Sequence, residues 1–294
     1  MAEKSILSKS NDLDQFQVQK TNKFLLVLCY IGLVFWALID LFPIYWMFTF
    51  SLKDNAEVFG ANIMGLPQKW LWSNYATALT TGNVPLFFLN SLIVTGASII
   101  ISLIAALMAT YAITRIVWKG SKTVNAFFML GITIPIHSSV VPLFITISSI
   151  GMSNSYLALI IPYSAFSLSM AILICTGFMG DIPKDLDEAA YIDGCNLWQT
   201  FYKIIVPLMK PALATISIYT FLQCWNELMF ATIFNSSSRL KTLPVGISEL
   251  AGRNTTEWGP IGAALVLATF PTLVAYLFMS KSIQESFIAG AVKG

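Results

Sequence analysis

Charged residues are scarce in this chain, and their scarcity excludes a soluble globular protein. Only 11% of the 294 residues are Asp, Glu, Lys or Arg, whereas 56% are hydrophobic, and the mean hydropathy is +0.72. Because a soluble domain carries roughly 25% charged residues, this chain must be solvated by lipid. The net charge of +2 gives no basis for binding nucleic acid.

Histidine and cysteine are also rare, and the patterns that would indicate catalysis or metal binding are absent. His137 is the single histidine and has no second ligand beside it, while the four cysteines lie far apart. Neither a metal site nor a disulfide framework is therefore predicted. No G-x-x-x-x-G-K-[ST] loop occurs, so the chain lacks that route to ATP. With no clustered acid, base and nucleophile, we predict no catalytic residue and no enzyme.

What the sequence does contain is six long apolar segments, which predict an all-α membrane protein. Each segment is long enough for the about 20 residues that cross ~30 Å of hydrocarbon. The runs are continuous, which is typical of helices and not of the alternating strands of a barrel. The predicted spans are 24–50, 86–113, 124–147, 155–178, 211–234 and 260–283.

Lysine and arginine are distributed unevenly among the segments between these spans. With the N-terminus in the cytosol, twelve of the 17 fall on the cytosolic side and five on the outer side. This bias predicts that both termini are cytosolic. We therefore divide the chain into a cytosolic tail (1–23, uncleaved because no apolar signal region precedes Phe24), a first transmembrane helix with its outer loop (24–85), a transmembrane domain (86–285) and a cytosolic C-terminal tail (286–294).

A polar stretch, EAAYIDGCNLW at 188–198, lies on the predicted cytosolic side between two spans. Asp181 with Pro183 predicts the start of a helix, and Gly194 is expected to end it with a positive φ. Asn196, with Gln199 three positions later, predicts the start of a second helix. Residues 181–210 therefore form a predicted helix–turn–helix hairpin.

The first helix of this hairpin has a face made of small residues. Ala189, Ala190 and Asp193 fall at helical spacings of three and four, so they share one side. Two alanines there leave a flat surface that another protein can approach closely. A solvated connecting loop is the alternative, although six residues (149–154) suffice between the third and fourth spans.

The segment EAAYIDGCNLWQTFYKIIVPLMKP (188–211) resembles the cytosolic EAA loop of ABC-importer permeases. Glu188, Ala189, Ala190, Gly194 and the pair Val206-Pro207 match its pattern in order. Further stretches make the chain similar to the second, maltose-type permease subunit of binding-protein-dependent carbohydrate importers: NSLIVT (90–95), YAITR (111–115), WNEL (225–228), TLPVGI (242–247), WGPIGAA (258–264) and GAVKG (290–294). His137 departs from the pattern, since relatives often carry Gln or Glu there.

This resemblance implies a permease subunit of an ATP-driven importer that carries a sugar across a bacterial cell membrane, with an oligosaccharide as the favoured class. It implies four kinds of partner: a second homologous permease, two ATPase subunits, an external sugar-binding protein and membrane lipid. ATP and magnesium would be bound by the ATPases, and no cofactor by this chain. Glycerol phosphate or a polyol is the alternative substrate. A secondary transporter fits less well, because charges near the membrane midplane are nearly absent.

The resemblance also implies roles for three groups of residues. Those that couple to the ATPase are Glu188, Ala189, Ala190, Asp193 and Gly194. Those of the tail that contact the ATPases are Gly290, Ala291, Val292, Lys293 and Gly294. Those of an outer loop that enters the binding protein are Gly252, Arg253, Asn254, Thr255, Thr256 and Glu257.

Polar residues inside the predicted spans are candidates for the transport pathway, because polar groups are costly in hydrocarbon. The candidates are Asn90, His137, Asn226 and Glu227. Each has a structural alternative. Asn90 could form interhelical hydrogen bonds, His137 could satisfy backbone groups freed by nearby prolines, and Glu227 could serve helix packing if it finds donors.

Overall fold

The computed structural model describes residues 23–252 and 256–291, with side chains described as far as residue 278, and this part of the chain is all-helical, as predicted. The α-helices are α1 Lys23–Phe50, α2 Asn55–Val58, α3 Ser73–Leu79, α4 Val84–Thr114, α5 Ser121–Thr133, α6 Val140–Ser149, α7 Leu157–Asp181, α8 Asp185–Ile192, α9 Leu197–Thr200, α10 Val206–Leu208, α11 Lys210–Trp225, α12 Met229–Phe234, α13 Leu243–Ala251 and α14 Trp258–Ala291. Two 3-10 helices, Ile136–Ser139 and Ser238–Leu240, and a π-helical turn at Phe201–Ile205 complete the described structure.

Four of the predicted spans are single long helices: α1, α4, α7 and α14 are long and apolar enough to cross a membrane. The third span is broken, because α5 and the segment Ile136–Ser149 meet at an angle of 94°. Pro135 explains the break, since the residue before a proline is driven out of the helical region. Ile134 accordingly has φ −76° and ψ 119°. The described residues thus contain four to six candidate spans.

The fifth span also departs from a single continuous helix. It is entered through a bend of 72° between Leu197–Leu208 and α11. Helix α11 ends at Trp225, and the chain turns before α12 begins at Met229. The predicted segment 211–234 is therefore one 16-residue helix followed by a separate short one.

The centre of the bundle is the contact between α4 and α7, with α11 beside both. Helix α4 turns a row of small residues spaced four apart toward its neighbours: Ser98, Ser102, Ala106 and Thr110, all fully buried. Ser102 Oγ donates a hydrogen bond to the carbonyl of Ser164 on α7, at 3.3 Å. Small side chains let helices approach closely in a membrane, where packing rather than water exclusion drives association.

Helix α1 lies at the outside of the bundle, and no residue in its most apolar window is buried. Its C-terminal end meets α14, where Gly262 allows a close approach: a Cβ there would lie 2.5 Å from Phe50 Cδ1. The remainder of α1 presents an apolar surface that no described residue covers.

Candidate functional site

The hairpin at residues 181–210 has the predicted turn and second helix. Gly194 has φ +82°, a left-handed conformation that glycine adopts without strain. Asn196 Oδ1 accepts from Gln199 N and Gln199 Oε1 accepts from Asn196 N, both at 2.9 Å, which is a complete capping box. The predicted cap of the first helix is wrong: Asp181 is the last residue of α7, and α8 begins at Asp185 without a side-chain cap.

The hairpin exposes most of the residues for which coupling was predicted. Glu188, Ala189, Asp193 and Gly194 are exposed, whereas Ala190 is only 3% exposed. The predicted flat face with two alanines is therefore wrong in one respect, because Ala190 faces the chain itself. Its small side chain serves the packing of α8.

An ion pair that the sequence reasoning missed fastens the hairpin to the bundle. Arg115, just past the end of α4, bonds Asp187 Oδ2 of α8 through Nη1 at 2.7 Å. Its Nη2 donates to the carbonyls of Met179 and Ile182, at 2.7 and 2.6 Å. The two charged side chains are 5% and 12% exposed. Arg115 thus joins α4, the end of α7 and α8, and it adds donors to carbonyls at the end of a helix, where backbone partners run out.

At the break in the fifth span, Glu227 caps the short helix α12. Its carboxylate accepts from the backbone N–H groups of Phe230 at 2.9 Å and Ala231 at 3.1 Å. It also accepts a hydrogen bond from the hydroxyl of Tyr163 on α7. A carboxylate is favourable at a helix N-terminus. These contacts are those of the helix-packing alternative given above for Glu227.

The other two polar residues of the broken spans are exposed on this chain. Asn226 Nδ2 donates to the carbonyl of Leu222 at 2.9 Å. The His137 ring lies 6.3 Å from that of Phe230, which also packs against Tyr163, so His137 and Glu227 approach the same aromatic cluster. The carbonyl of Pro135 accepts from Ser138 N and Ser138 Oγ, so His137 is not its partner. The structural alternative for His137 stays a prediction.

Asn90 lies apart from these residues and is fully buried. Its Nδ2 donates to the carbonyls of Arg239 and Lys241, both at 2.9 Å, and its Oδ1 accepts from Tyr156 Oη at 2.7 Å. The amide is therefore engaged by protein groups on both sides. These contacts are those expected if Asn90 forms hydrogen bonds between helices, which is the structural alternative for this residue.

Asn90 anchors a segment that the sequence presented as a long polar loop. Residues 238–251 instead contain a 3-10 turn and α13, which packs against α4. Leu243 N donates to Ser91 Oγ at 2.8 Å, and Gly246 lies so close to Phe87 that a Cβ would come within 2.0 Å of that ring. The segment is thus part of the bundle.

The tip of this segment is only partly described. Gly252 and Glu257 are exposed, and Thr256 is half-buried, with its carbonyl accepting from Asn55 Nδ2 at 2.8 Å. Trp258 N donates to Asn55 Oδ1, so Asn55 holds the C-terminal base of the tip. Arg253, Asn254 and Thr255 lie outside the described residues. In the C-terminal tail, Gly290 and Ala291 belong to α14, and Val292, Lys293 and Gly294 lie outside the described residues.

A bundle of long apolar helices with two broken spans is the architecture of a multi-pass membrane transport protein. Residues 98–287 match the family of the binding-protein-dependent transport system inner membrane component, and the chain belongs to that family. This confirms the resemblance drawn from the EAA loop, and with it the placement in the cell membrane. The chain is a transport subunit.

Individual relatives extend over nearly the whole chain. The permease protein of the trehalose/maltose transport system of Thermococcus litoralis is 35% identical over 91% of this chain and 97% of its own length. A permease protein of a diacetylchitobiose uptake system of Streptomyces coelicolor is 29% identical over 89% and 87%. The fold is that of a crystallised bacterial ABC transporter for alginate import, with a TM-score of 0.77 at 21% identity, covering 90% of this chain and 98% of that one.

Proposed function

We propose that this chain is the permease subunit of an ATP-driven importer that carries an oligosaccharide from an external binding protein into the cytosol. Membership of the binding-protein-dependent family supports a need for such a partner. The names of the relatives support the substrate class, since trehalose, maltose and diacetylchitobiose are all disaccharides. ATP and magnesium are bound by two separate ATPase subunits, and this chain carries no cofactor.

In this proposal both termini and the hairpin lie in the cytosol, where the hairpin docks on an ATPase. The lysine and arginine bias supports that orientation. The docking contacts come from Glu188, Ala189, Asp193 and Gly194, which are exposed, while Ala190 sets how closely α8 lies against the bundle. The apolar surface of α1 is covered by lipid and by a second, homologous permease subunit.

The observation that carries the proposal is the buried link made by Arg115. When ATP binding closes the ATPase dimer, the hairpin moves with the subunit on which it docks. Because Arg115 holds α8 to the ends of α4 and α7, that displacement reaches the spans as rigid-body motion. The pathway then turns from the cytosolic to the outer side.

Two further contacts belong to the same proposal. The tip at residues 251–258 enters the binding protein and helps displace the sugar. Its attachment to Asn55 supports a loop that is held at its C-terminal base.

The C-terminal residues 290–294 insert between the ATPase subunits. Deleting residues 288–294 should lower transport more than it lowers the amount of protein.

Reconstitution tests the function directly. The tagged chain is purified with its partner permease, ATPases and binding protein, placed in proteoliposomes, and given radiolabelled maltose, trehalose or diacetylchitobiose. ATP-dependent uptake of at least one of these is expected. Uptake of only glycerol 3-phosphate or mannitol would establish the alternative substrate class. Uptake that follows an ion gradient without ATP would show a secondary transporter instead.

A further inference from the structure

A cavity of ≈ 430 Å³ opens between α11, α13 and α14, and neither Glu227 nor any residue of the hairpin is among its lining residues. Small-molecule sites commonly have volumes of ~300–1,000 Å³. The polar residues that line it are Asn226, Ser248, Thr269 and Thr272, and Pro244 and Leu265 contribute apolar wall. The cavity therefore offers hydroxyl and amide groups beside apolar surface.

Several of these polar groups are unused. Asn226 Nδ2 donates one hydrogen bond to the carbonyl of Leu222. The Oδ1 atom of Asn226 has no hydrogen-bond partner among the described residues. The hydroxyls of Ser248 and Thr272, which also line the cavity, likewise have no hydrogen-bond partner among the described residues. Thr269 differs, because its Oγ1 donates to Leu265 O at 2.9 Å. The cavity thus presents both donors and acceptors to whatever fills it.

The depth of the cavity decides what can fill it. The sixth predicted span, 260–283, has its midpoint between residues 271 and 272. Thr269 and Thr272 lie within three residues of that midpoint, which is less than ~5 Å along the helix axis. Lipid tails cannot solvate a hydroxyl at that depth. A hydroxyl at that depth that does not bond its own helix therefore needs a polar occupant or water.

The polar surface continues from the cavity along α11. Gln223 lies three residues before Asn226, and Tyr219 lies four residues before Gln223. The three side chains therefore lie on one face of the helix. Gln223 is exposed, and its Nε2 donates to Tyr219 Oη at 2.7 Å. A different face of α11, with Ile216 and Cys224, is buried in the bundle. Asn226, Gln223 and Tyr219 therefore extend the polar surface from the cavity over about two turns of α11.

We propose that this cavity is a sugar-binding subsite of the pathway, in which Asn226, Ser248 and Thr272 hydrogen-bond the hydroxyls of a passing saccharide. Sugar hydroxyls both donate and accept, which matches the mixed groups here. The C–H face of a sugar ring is served by Pro244 and Leu265. The subsite rests on the proposed sugar-import function and assigns part of substrate recognition to this chain.

Cysteine accessibility tests the occupant. Thr272→Cys is introduced with the native cysteines replaced (Cys29→Ser, Cys175→Ala, Cys195→Ser and Cys224→Ala), and the full transporter is treated with a hydrophilic methanethiosulfonate reagent. We expect labelling, slowed at least several-fold by saturating maltose or whichever disaccharide the wild type carries. Phe270→Cys, on the opposite face of α14 at similar depth, is the control, and sugar should not alter its labelling.

Two results would overturn the subsite. No labelling of Thr272→Cys would mean that lipid or the partner permease fills the cavity, and labelling unaffected by sugar would mean water without a binding site. If the wild type carries none of the disaccharides, the proposed function itself fails, and this result is separate from both.

A matched pair of variants gives a second readout. Thr272→Val removes an unpaired hydroxyl at nearly constant shape, whereas Thr269→Val removes one already bonded to its own helix. With saturating loaded binding protein, the uptake rate of Thr272→Val should fall about 2- to 10-fold, the worth of one hydrogen bond. Thr269→Val should change it much less. Co-purification of the subunits confirms assembly, and equal rates for the two variants would contradict the proposal.

Discussion

The hairpin link and the mid-membrane cavity treat their polar groups in opposite ways. At the link, Arg115 donates to a carboxylate and two carbonyls within 2.7 Å, and both charged side chains are buried. In the cavity, Asn226, Ser248 and Thr272 keep hydrogen-bonding capacity that no described residue uses. An element that transmits motion has to be stiff, and a surface that receives and releases a ligand has to leave partners free. Polar groups therefore serve opposite ends according to how far the protein itself satisfies them, and at the link only Asp187 Oδ1 has no partner among the described residues.

Among the variants considered, breaking the link between Arg115 and Asp187 should lower the stability of the protein most. Arg115→Leu leaves Asp187 buried without its partner, which costs about 3–5 kcal/mol when a buried pair is broken on one side. We expect the thermal unfolding midpoint of the detergent-purified protein to fall markedly. The double variant Arg115→Leu with Asp187→Leu should recover part of the loss, because no unpaired charge remains. Equal midpoints for the single variant and wild type would contradict the role of the link.

Glu227, which caps α12 at the break in the fifth span, should have an intermediate effect on stability. Glu227→Gln replaces a carboxylate that accepts three hydrogen bonds, and hydrogen bonds to charged groups contribute about 1.5–3 kcal/mol. The same unfolding measurement should show a smaller loss than that of Arg115→Leu. Tyr163→Phe removes only one of the three donors and should cost less again. A Tyr163 variant more damaging than the Glu227 variant would refute the capping role.

The turn of the hairpin gives a third, smaller effect that depends on backbone conformation alone. Gly194 has a positive φ and open space where a Cβ would stand. Gly194→Val should therefore cost about 1–2 kcal/mol through left-handed strain, without any clash. Gly194→Asn is the control, since asparagine tolerates that region. Sugar uptake per ATP hydrolysed should fall for valine and stay near normal for asparagine; similar results for both would rule out a conformational requirement.

Glu188→Lys should change stability least, but it should clearly weaken assembly with the ATPase. Glu188 is exposed in the first turn of α8, so Glu188→Lys should change unfolding free energy by only a few tenths to 1 kcal/mol. If this surface docks on the ATPase, the amount of ATPase that co-purifies should fall several-fold. Lys184→Glu, also exposed and just before α8, is a charge-changing control. Undiminished ATPase recovery with Glu188→Lys would remove this residue from the docking surface.

Local signals predicted much of this structure from the sequence. The apolar runs located the helices, and Asn196 with Gln199 predicted the second helix of the hairpin, because both depend on residues a few positions apart. Gly194 was assigned its positive φ for the same reason. The break at Pro135 was within reach of such reasoning, since a proline disfavours helix in the residue before it.

The missing parts depend on contacts between distant residues. Arg115 and Asp187 are 72 positions apart. In the sequence, Arg115 contributed to the count of positive charges and to the stretch YAITR, and neither pointed to Asp187. Asn90 bonds carbonyls about 150 positions away, which is why residues 238–251 were predicted as a loop and not as a packed helix. The cavity joins α11, α13 and α14, and only Asn226 among its unpaired groups had been singled out.

The row of small residues on α4 also limits how this sequence can diverge. Ser98, Ser102, Ala106 and Thr110 recur every four positions along the buried side of a 31-residue helix. Because van der Waals contact falls off steeply with separation, one leucine anywhere in the row would hold α4 and its neighbours apart over several turns. Mutational drift at these positions is therefore limited by side-chain volume, and exchanges among glycine, alanine, serine and threonine are the substitutions open to it.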